Sequence, residues 1–128
     1  MTTNKPIILV VEDDPDLSAL MQKKLKAESF ESVLAETGRE ALDYLKSQRP
    51  ALILLDILLP DIDGLTVLSE IAKDPAKKTI PIIIFSNLDD KGSFEQASAI
   101  GHYDYLVKAK TELSQVVAKI KEKLNLID

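Results

Sequence analysis

Three carboxylates, a serine and a lysine stand where apolar runs of this chain stop. Glu12 and Asp13 follow Ile7-Ile8-Leu9-Val10-Val11. Asp56 follows Ala51-Leu52-Ile53-Leu54-Leu55, Ser86 follows residues 80–85, and Lys108 follows residues 103–107. An ionised group is expensive to take out of water, so each belongs at the end of a buried strand. If the four runs are parallel neighbours, their carboxyl ends converge, and open α/β sheets bind ligands in the crevice there. Carboxylates crowded in one crevice raise one another's pKa or take up a cation. An all-oxygen donor set favours a hard ion such as Mg2+, which keeps several waters and takes few carboxylates; Mn2+ is a possible substitute. A hydroxyl and an ammonium suit a phosphoryl group, the first by hydrogen bonding and the second by charge. The residue types point to a metal ion and a phosphoryl group sharing one crevice.

The elements that must position these side chains are legible as five strand–helix alternations, which imply an α/β fold with a parallel sheet. The strands are expected at 7–12, 32–35, 51–55, 80–85 and 103–107. Unbroken apolar runs, as in 7–11 and 51–55, suit strands buried on both faces. The first helix has Asp14 as N-cap, Pro15 in its first turn and a stripe of Leu17, Leu20, Met21 and Leu25. The second opens on a Thr37-to-Glu40 capping box and buries Ala41, Leu42 and Leu45. The third spans 65–73 and stops at Asp74-Pro75. The fourth starts near a second capping box, Ser93 to Gln96, and closes at Gly101. The fifth is capped by Thr111 and buries Leu113, Val116, Val117, Ile120 and Leu124. Right-handed crossovers allow the doubly wound order 2-1-3-4-5, with helices on both faces, and that order sets strands 1 and 3 side by side at the topological switch point.

Glu12-Asp13, Asp56 with Pro60 and Asp63-Gly64, Ser86, Gly101, Tyr105 and Lys108, in this order, make the chain resemble the receiver domains of two-component response regulators, of the chemotaxis-type single-domain kind, over residues 7–124. The resemblance implies a flavodoxin-like fold. It implies that Asp56 accepts a phosphoryl group from a histidine kinase or a histidine phosphotransfer protein. It further implies that Mg2+ is held by Asp13, Asp56 and the Leu58 backbone carbonyl, with Glu12 acting through water. Ser86 and Lys108 would bind phosphoryl oxygens. Ser86 and Tyr105 would then form a switch that alters the protein-interaction surface of helix 4, strand 5 and helix 5; the chain would be a monomer or a weak dimer through that surface, with a downstream protein partner that the resemblance does not name. Three positions and one segment depart from the family pattern. Asn87 and Leu88 follow Ser86, where a small residue and a determinant of phosphoryl lifetime are usual. Ala109 replaces the usual proline after Lys108. The segment from Glu28 to Ser32 has no glycine to turn the chain. A trans Lys108–Ala109 bond is expected, because a cis bond not preceding proline costs roughly 2.5–4 kcal/mol. The Lys108 amine is then expected to reach the pocket on a flexible stem and to lie some distance from Asp56.

Several plainer roles follow from composition and position. Asp14 reads as a helix cap, and Asp61 and Asp63 read as turn residues without a catalytic role. His102, the only histidine, lies away from the strand ends. The 128 residues suit one domain, 1–128, with 1–5 a flexible tail. The net charge of −5 argues against direct nucleic-acid binding. No run is long enough to span a membrane, and the opening residues do not read as a signal peptide, so a cytoplasmic protein is expected. With no cysteine, disulfide and thiolate chemistry are excluded. The 128 residues hold no effector region, and the chain is expected to be either a stand-alone receiver or part of a longer regulator or hybrid kinase. Beyond phosphorylating and slowly dephosphorylating itself, it is not expected to be an enzyme. The rival readings are an adaptor acting without phosphorylation, a flavodoxin-like nucleotide carrier and a small aspartate-nucleophile phosphatase. The phosphatase would need a second acid two residues after the nucleophile, where Leu58 stands.

Overall fold

The computed structural model describes residues 5–87 and 91–126. Five strands, β1 (Ile7–Val11), β2 (Glu31–Ala35), β3 (Leu52–Leu55), β4 (Ile82–Ser86) and β5 (Asp104–Val107), alternate with five helices. These are α1 (Pro15–Ala27), α2 (Gly38–Ser47), α3 (Gly64–Lys73), α4 (Lys91–Ile100) and α5 (Leu113–Lys123), and a single 3-10 turn, Lys108–Lys110, follows β5. All four strand pairings are parallel and the order is β2-β1-β3-β4-β5. This is the doubly wound sheet expected from the sequence. None of the helices among the described residues is long and apolar enough to cross a membrane.

Strand side chains alternate between faces, and the two cores follow that alternation. Leu9, Val11, Ile53, Leu55, Ile82 and Ile84 pack with α2, α3 and α4 through Ala41, Leu45, Val67, Leu68, Ile71 and Ala97. Ile8, Val10, Leu52, Leu54, Ile83 and Phe85 face α1 and α5 through Met21, Leu25, Val116, Val117 and Ile120. Because both faces are covered, the central strands carry unbroken aliphatic runs.

Local chemistry moved several boundaries. Pro81 has no N–H to donate, so β4 begins at Ile82, while the Pro81 carbonyl still accepts from Ile53 N–H at 2.9 Å. The α5 N-cap is Glu112 rather than Thr111, and the Gln115 side chain accepts from Glu112 N–H at 2.7 Å. Thr37 caps α2 as expected, accepting from Glu40 N–H at 3.0 Å, but the Glu40 carboxylate takes Glu36 N–H at 2.8 Å instead of the cap's own amide. The α3 cap is Asp63, and α4 starts at Lys91, ahead of the expected Ser93 box, whose serine side chain lies outside the described residues. Leu20 is 56% exposed and does not belong to the buried stripe of α1. Leu42, Leu113 and Leu124 are half-buried.

Two glycine expectations also fail for physical reasons. Gly101 closes α4 without a left-handed φ. A Cβ there would come within 2.8 Å of the Tyr103 hydroxyl, so glycine makes room for a ring. The turn between α1 and β2 does use a left-handed residue, and Ser29 supplies it with φ 69°. Phe30 N–H bonds to the Leu25 carbonyl at 2.9 Å and Ser29 N–H to the Lys26 carbonyl at 3.1 Å. Those bonds form a Schellman cap, and burial of Phe30 and Leu25 in one cluster secures it despite the missing glycine.

Candidate phosphoryl and metal site

Register alone brings the site together. Val11 is the partner of Leu55, so Glu12 and Asp56 are the next residues along adjacent strands. Ser86 pairs with Val107 at the last rung between β4 and β5, so Lys108 follows directly. Glu12 and Asp56 are each 4% exposed, and Ser86 is fully buried.

Both oxygens of Asp56 are held. Oδ1 accepts from Ser86 Oγ at 2.8 Å and from Leu58 N–H at 3.0 Å. Oδ2 accepts from Lys108 Nζ at 2.7 Å. The same ammonium lies 2.6 Å from Glu12 Oε1, and Glu12 Oε2 accepts from Asp14 N–H at 3.1 Å. Lys108 therefore bridges two buried carboxylates, and it sits 5.9 Å from the Phe85 ring centroid. The expectation that its amine would lie some distance from Asp56 is wrong. An ammonium is the only cation the described residues bring against two buried anions, and that attraction draws the flexible stem inward. The Lys108–Ala109 bond is trans, as expected.

Burial raises the Glu12 pKa above its ordinary value of 4.5, and the bonds from Lys108 and Asp14 only partly offset it. For Lys108, burial acts downward, but the bonds to Asp56 and Glu12 outweigh it and hold the amine above 10.5. Lys108 is thus a fixed positive charge throughout the neutral range.

One ligand oxygen each from Glu12, Asp13 and Asp56 lies within 4.8 Å of the others. This all-oxygen set, with one exposed member open to solvent, fits a hard divalent cation that keeps part of its water. Asp14 plays a different part. Its carboxylate accepts from Asp16 N–H at 3.0 Å and Leu17 N–H at 3.2 Å, capping α1. The Leu58 side chain is 54% exposed, and its backbone is fixed beside Asp56 by the bond from its amide.

Tyr105 is half-buried on β5, and its ring lies 5.9 Å from that of Phe94, tilted by 58°. Asn87, which stands where the family usually has a small residue, accepts from Ala109 N–H through its Oδ1 at 2.9 Å. Leu88 lies outside the described residues.

Sequence reasoning missed Asp61. Its carboxylate accepts from Gly38 N–H at 2.8 Å and Arg39 N–H at 3.0 Å, so it caps α2 from the loop after β3. Burial alone would raise its pKa, but these and neighbouring backbone bonds bring it below the usual 3.8. Close packing reinforces the link, because a Cβ on Gly38 would meet Ile62 Cγ1 at 2.5 Å. The only sequence signal was an aspartate beyond Pro60, and turn chemistry accounts for that equally well.

The family model for the response regulator receiver domain matches residues 8–121. The transcriptional regulatory protein BaeR of Escherichia coli O6:H1 is 36% identical over 118 residues, 92% of this chain and 48% of that protein. The chain spans about half or less of the curated relatives it matches. Among solved structures, a receiver domain protein described as CheY-like from Methanospirillum hungatei superposes with a TM-score of 0.88 at 26% identity, covering 96% of each chain. The Mn2+-bound form of response regulator Rcp1 superposes with a TM-score of 0.82 at 30% identity, covering 96% of this chain and 97% of the other. Strand order, the clustered strand-end residues and the family match agree: this chain belongs to the response regulator receiver domain family.

Proposed function

We propose that the chain is a phospho-accepting receiver that takes a phosphoryl group on Asp56 from a phosphohistidine of a kinase or phosphotransfer protein. One observation carries the reading: Ser86, Lys108 and Leu58 N–H all converge on the Asp56 carboxylate beside the carboxylates of Glu12 and Asp13. No other acid among the described residues is buried at a strand end with a hydroxyl and an ammonium in contact.

An Asp56 oxygen forms the new bond to phosphorus as the P–N bond to the donor imidazole breaks. Phosphoryl transfer asks mainly for positioning and neutralised charge. Lys108 is already cationic and within 2.7 Å of the nucleophile, so it can follow charge onto the phosphoryl oxygens. Ser86 Oγ–H can turn from Asp56 to a phosphoryl oxygen. Asp13, Asp56 and the Leu58 carbonyl would hold Mg2+, with Glu12 reached through water. The ion when bound supplies further charge neutralisation.

Phosphorylation adds negative charge and acceptor oxygens. Ser86 and Lys108 are then drawn toward them, and Tyr105, on the neighbouring strand, is placed to shift with Ser86. The population moves toward a second arrangement of α4, β5 and α5. The chain is here the product of transfer rather than a turnover enzyme, and it works in the cytoplasm with its kinase.

Incubation with Mg2+ and acetyl phosphate, followed by intact mass, tests the reading. The unaltered chain gains one phosphoryl group, and Asp56→Asn gains none. An equal gain in that variant would place the acceptor elsewhere.

A further inference from the structure

Ser86 and Lys108 hold opposite oxygens of Asp56, yet one ends β4 and the other follows β5, and the ladder joining those strands stops beside them. Its last rung is Ser86 with Val107. Beyond it, Lys108 enters a 3-10 turn, Lys108–Lys110, whose own closing bond, Thr111 N–H to the Lys108 carbonyl, is long at 3.4 Å. The N-cap residue of that turn, Val107, makes no side-chain cap. The first amides of any helical turn lack internal acceptors, and Ala109 N–H is one of them. Asn87 Oδ1 accepts it at 2.9 Å.

We infer that Asn87 is a positioning residue for Lys108. Its side chain acts as one more rung past the end of the β4–β5 ladder and caps the lysine's turn from the neighbouring strand. The Asn87 side chain bonds to backbone rather than to either carboxylate. It fixes where the Lys108 stem begins, so that the ammonium is presented to Glu12 and Asp56. The inference rests on the phospho-acceptor reading for its consequence but not for its geometry.

The experiment compares the full chain with Asn87→Ala, which removes the acceptor, and Asn87→Asp, which keeps it. Amide hydrogen exchange by NMR reads the bond directly. Exchange at Ala109 should quicken roughly 2- to 10-fold in Asn87→Ala, the range expected for one hydrogen bond. It should stay near its original rate in Asn87→Asp, while amides of β1 and β3 are unchanged in both. In parallel, phosphorylation of Asn87→Ala by acetyl phosphate should slow by a similar factor. Unchanged Ala109 exchange in Asn87→Ala, or an unchanged phosphorylation rate despite faster exchange, would overturn the inference. If the unaltered chain took no phosphoryl group, the acceptor reading would fail, while the exchange measurements would still decide whether Asn87 caps the turn.

Discussion

The crevice has two halves, and they are built differently. At the ends of β1 and β3, backbone and packing fix the acidic side. Leu58 N–H holds Asp56, Asp14 N–H holds Glu12, Asp61 locks the following loop to α2, and Gly64 lies directly against the strand end. At the ends of β4 and β5, side-chain contacts carry more of the holding. Lys108 rests on a turn with one long internal bond, Asn87 ties that turn, and Tyr105 leans on the half-exposed ring of Phe94. The difference suits the proposed division of labour. A metal site needs ligands that stay in place, whereas a switch needs groups that can exchange one partner for another at small cost.

The firmest prediction strains the fixed half. A Cβ on Gly64 would lie 2.4 Å from the Asp56 carbonyl oxygen and 2.5 Å from Ile57 Cα, and backbone cannot swing aside. Gly64→Ala is expected to destabilise the domain by about 3 kcal/mol, the upper part of the overpacking range. Urea unfolding measures it, and a loss under about 1 kcal/mol would mean that this half yields more readily than its packing implies.

Removing the cation that joins the halves comes next. Lys108→Met leaves Glu12 and Asp56 facing each other with no ammonium between them. Stability at neutral pH should fall by about 2 kcal/mol, below the usual cost of breaking a fully buried pair because the lysine is partly exposed. The pH dependence gives the sign. A carboxyl whose folded pKa is raised contributes stability that is complete below its unfolded pKa and is lost as pH rises through the folded value. The Glu12 pKa is already raised from 4.5 by burial. Without Lys108 it rises further, so the variant should regain stability on acidification below neutral more steeply than the unaltered chain. Parallel pH profiles would show that the lysine does not compensate these carboxylates.

Asp61→Ala removes the two carboxylate oxygens that accept from α2 amides, which solvent can partly replace because this loop is exposed. A loss of about 1 kcal/mol in urea unfolding is expected, the usual worth of a helix cap. No loss would detach the metal-side loop from α2.

The smallest effect belongs to the half built on β4 and β5. Phe94 is 52% exposed, so Phe94→Ala should change stability by less than about 0.5 kcal/mol, measured by the same unfolding assay. A larger cost would show that the α4–β5 contact is structural and would blur the contrast between the halves.

Much of the molecule is legible in its sequence. Apolar strands bounded by single polar residues, and helix patterns between them, define a parallel α/β sheet because burial on two faces demands such runs. Glu12, Asp13, Asp56, Ser86 and Lys108 could be named because charge and hydroxyl groups have few tolerable places beside such strands. What the sequence hid was whichever contact depends on residues far apart in the chain. The bridge from Lys108 to both Glu12 and Asp56, the capping of α2 by Asp61, and the bond between Asn87 and Ala109 each join separate loops. No local pattern encodes them, since the intrinsic preferences of a lysine, a turn aspartate or an asparagine are the same whichever distant partner it meets. Ser29 shows the converse: propensity called for glycine, and buried Phe30 and Leu25 held a serine in the left-handed region. Sequence by itself determined the sheet, its order and the chemistry at its ends, because hydrophobic pattern and charge act locally. Tertiary structure alone decided which hydrogen bonds join those ends, because partners across loops meet only once the sheet has set their spacing.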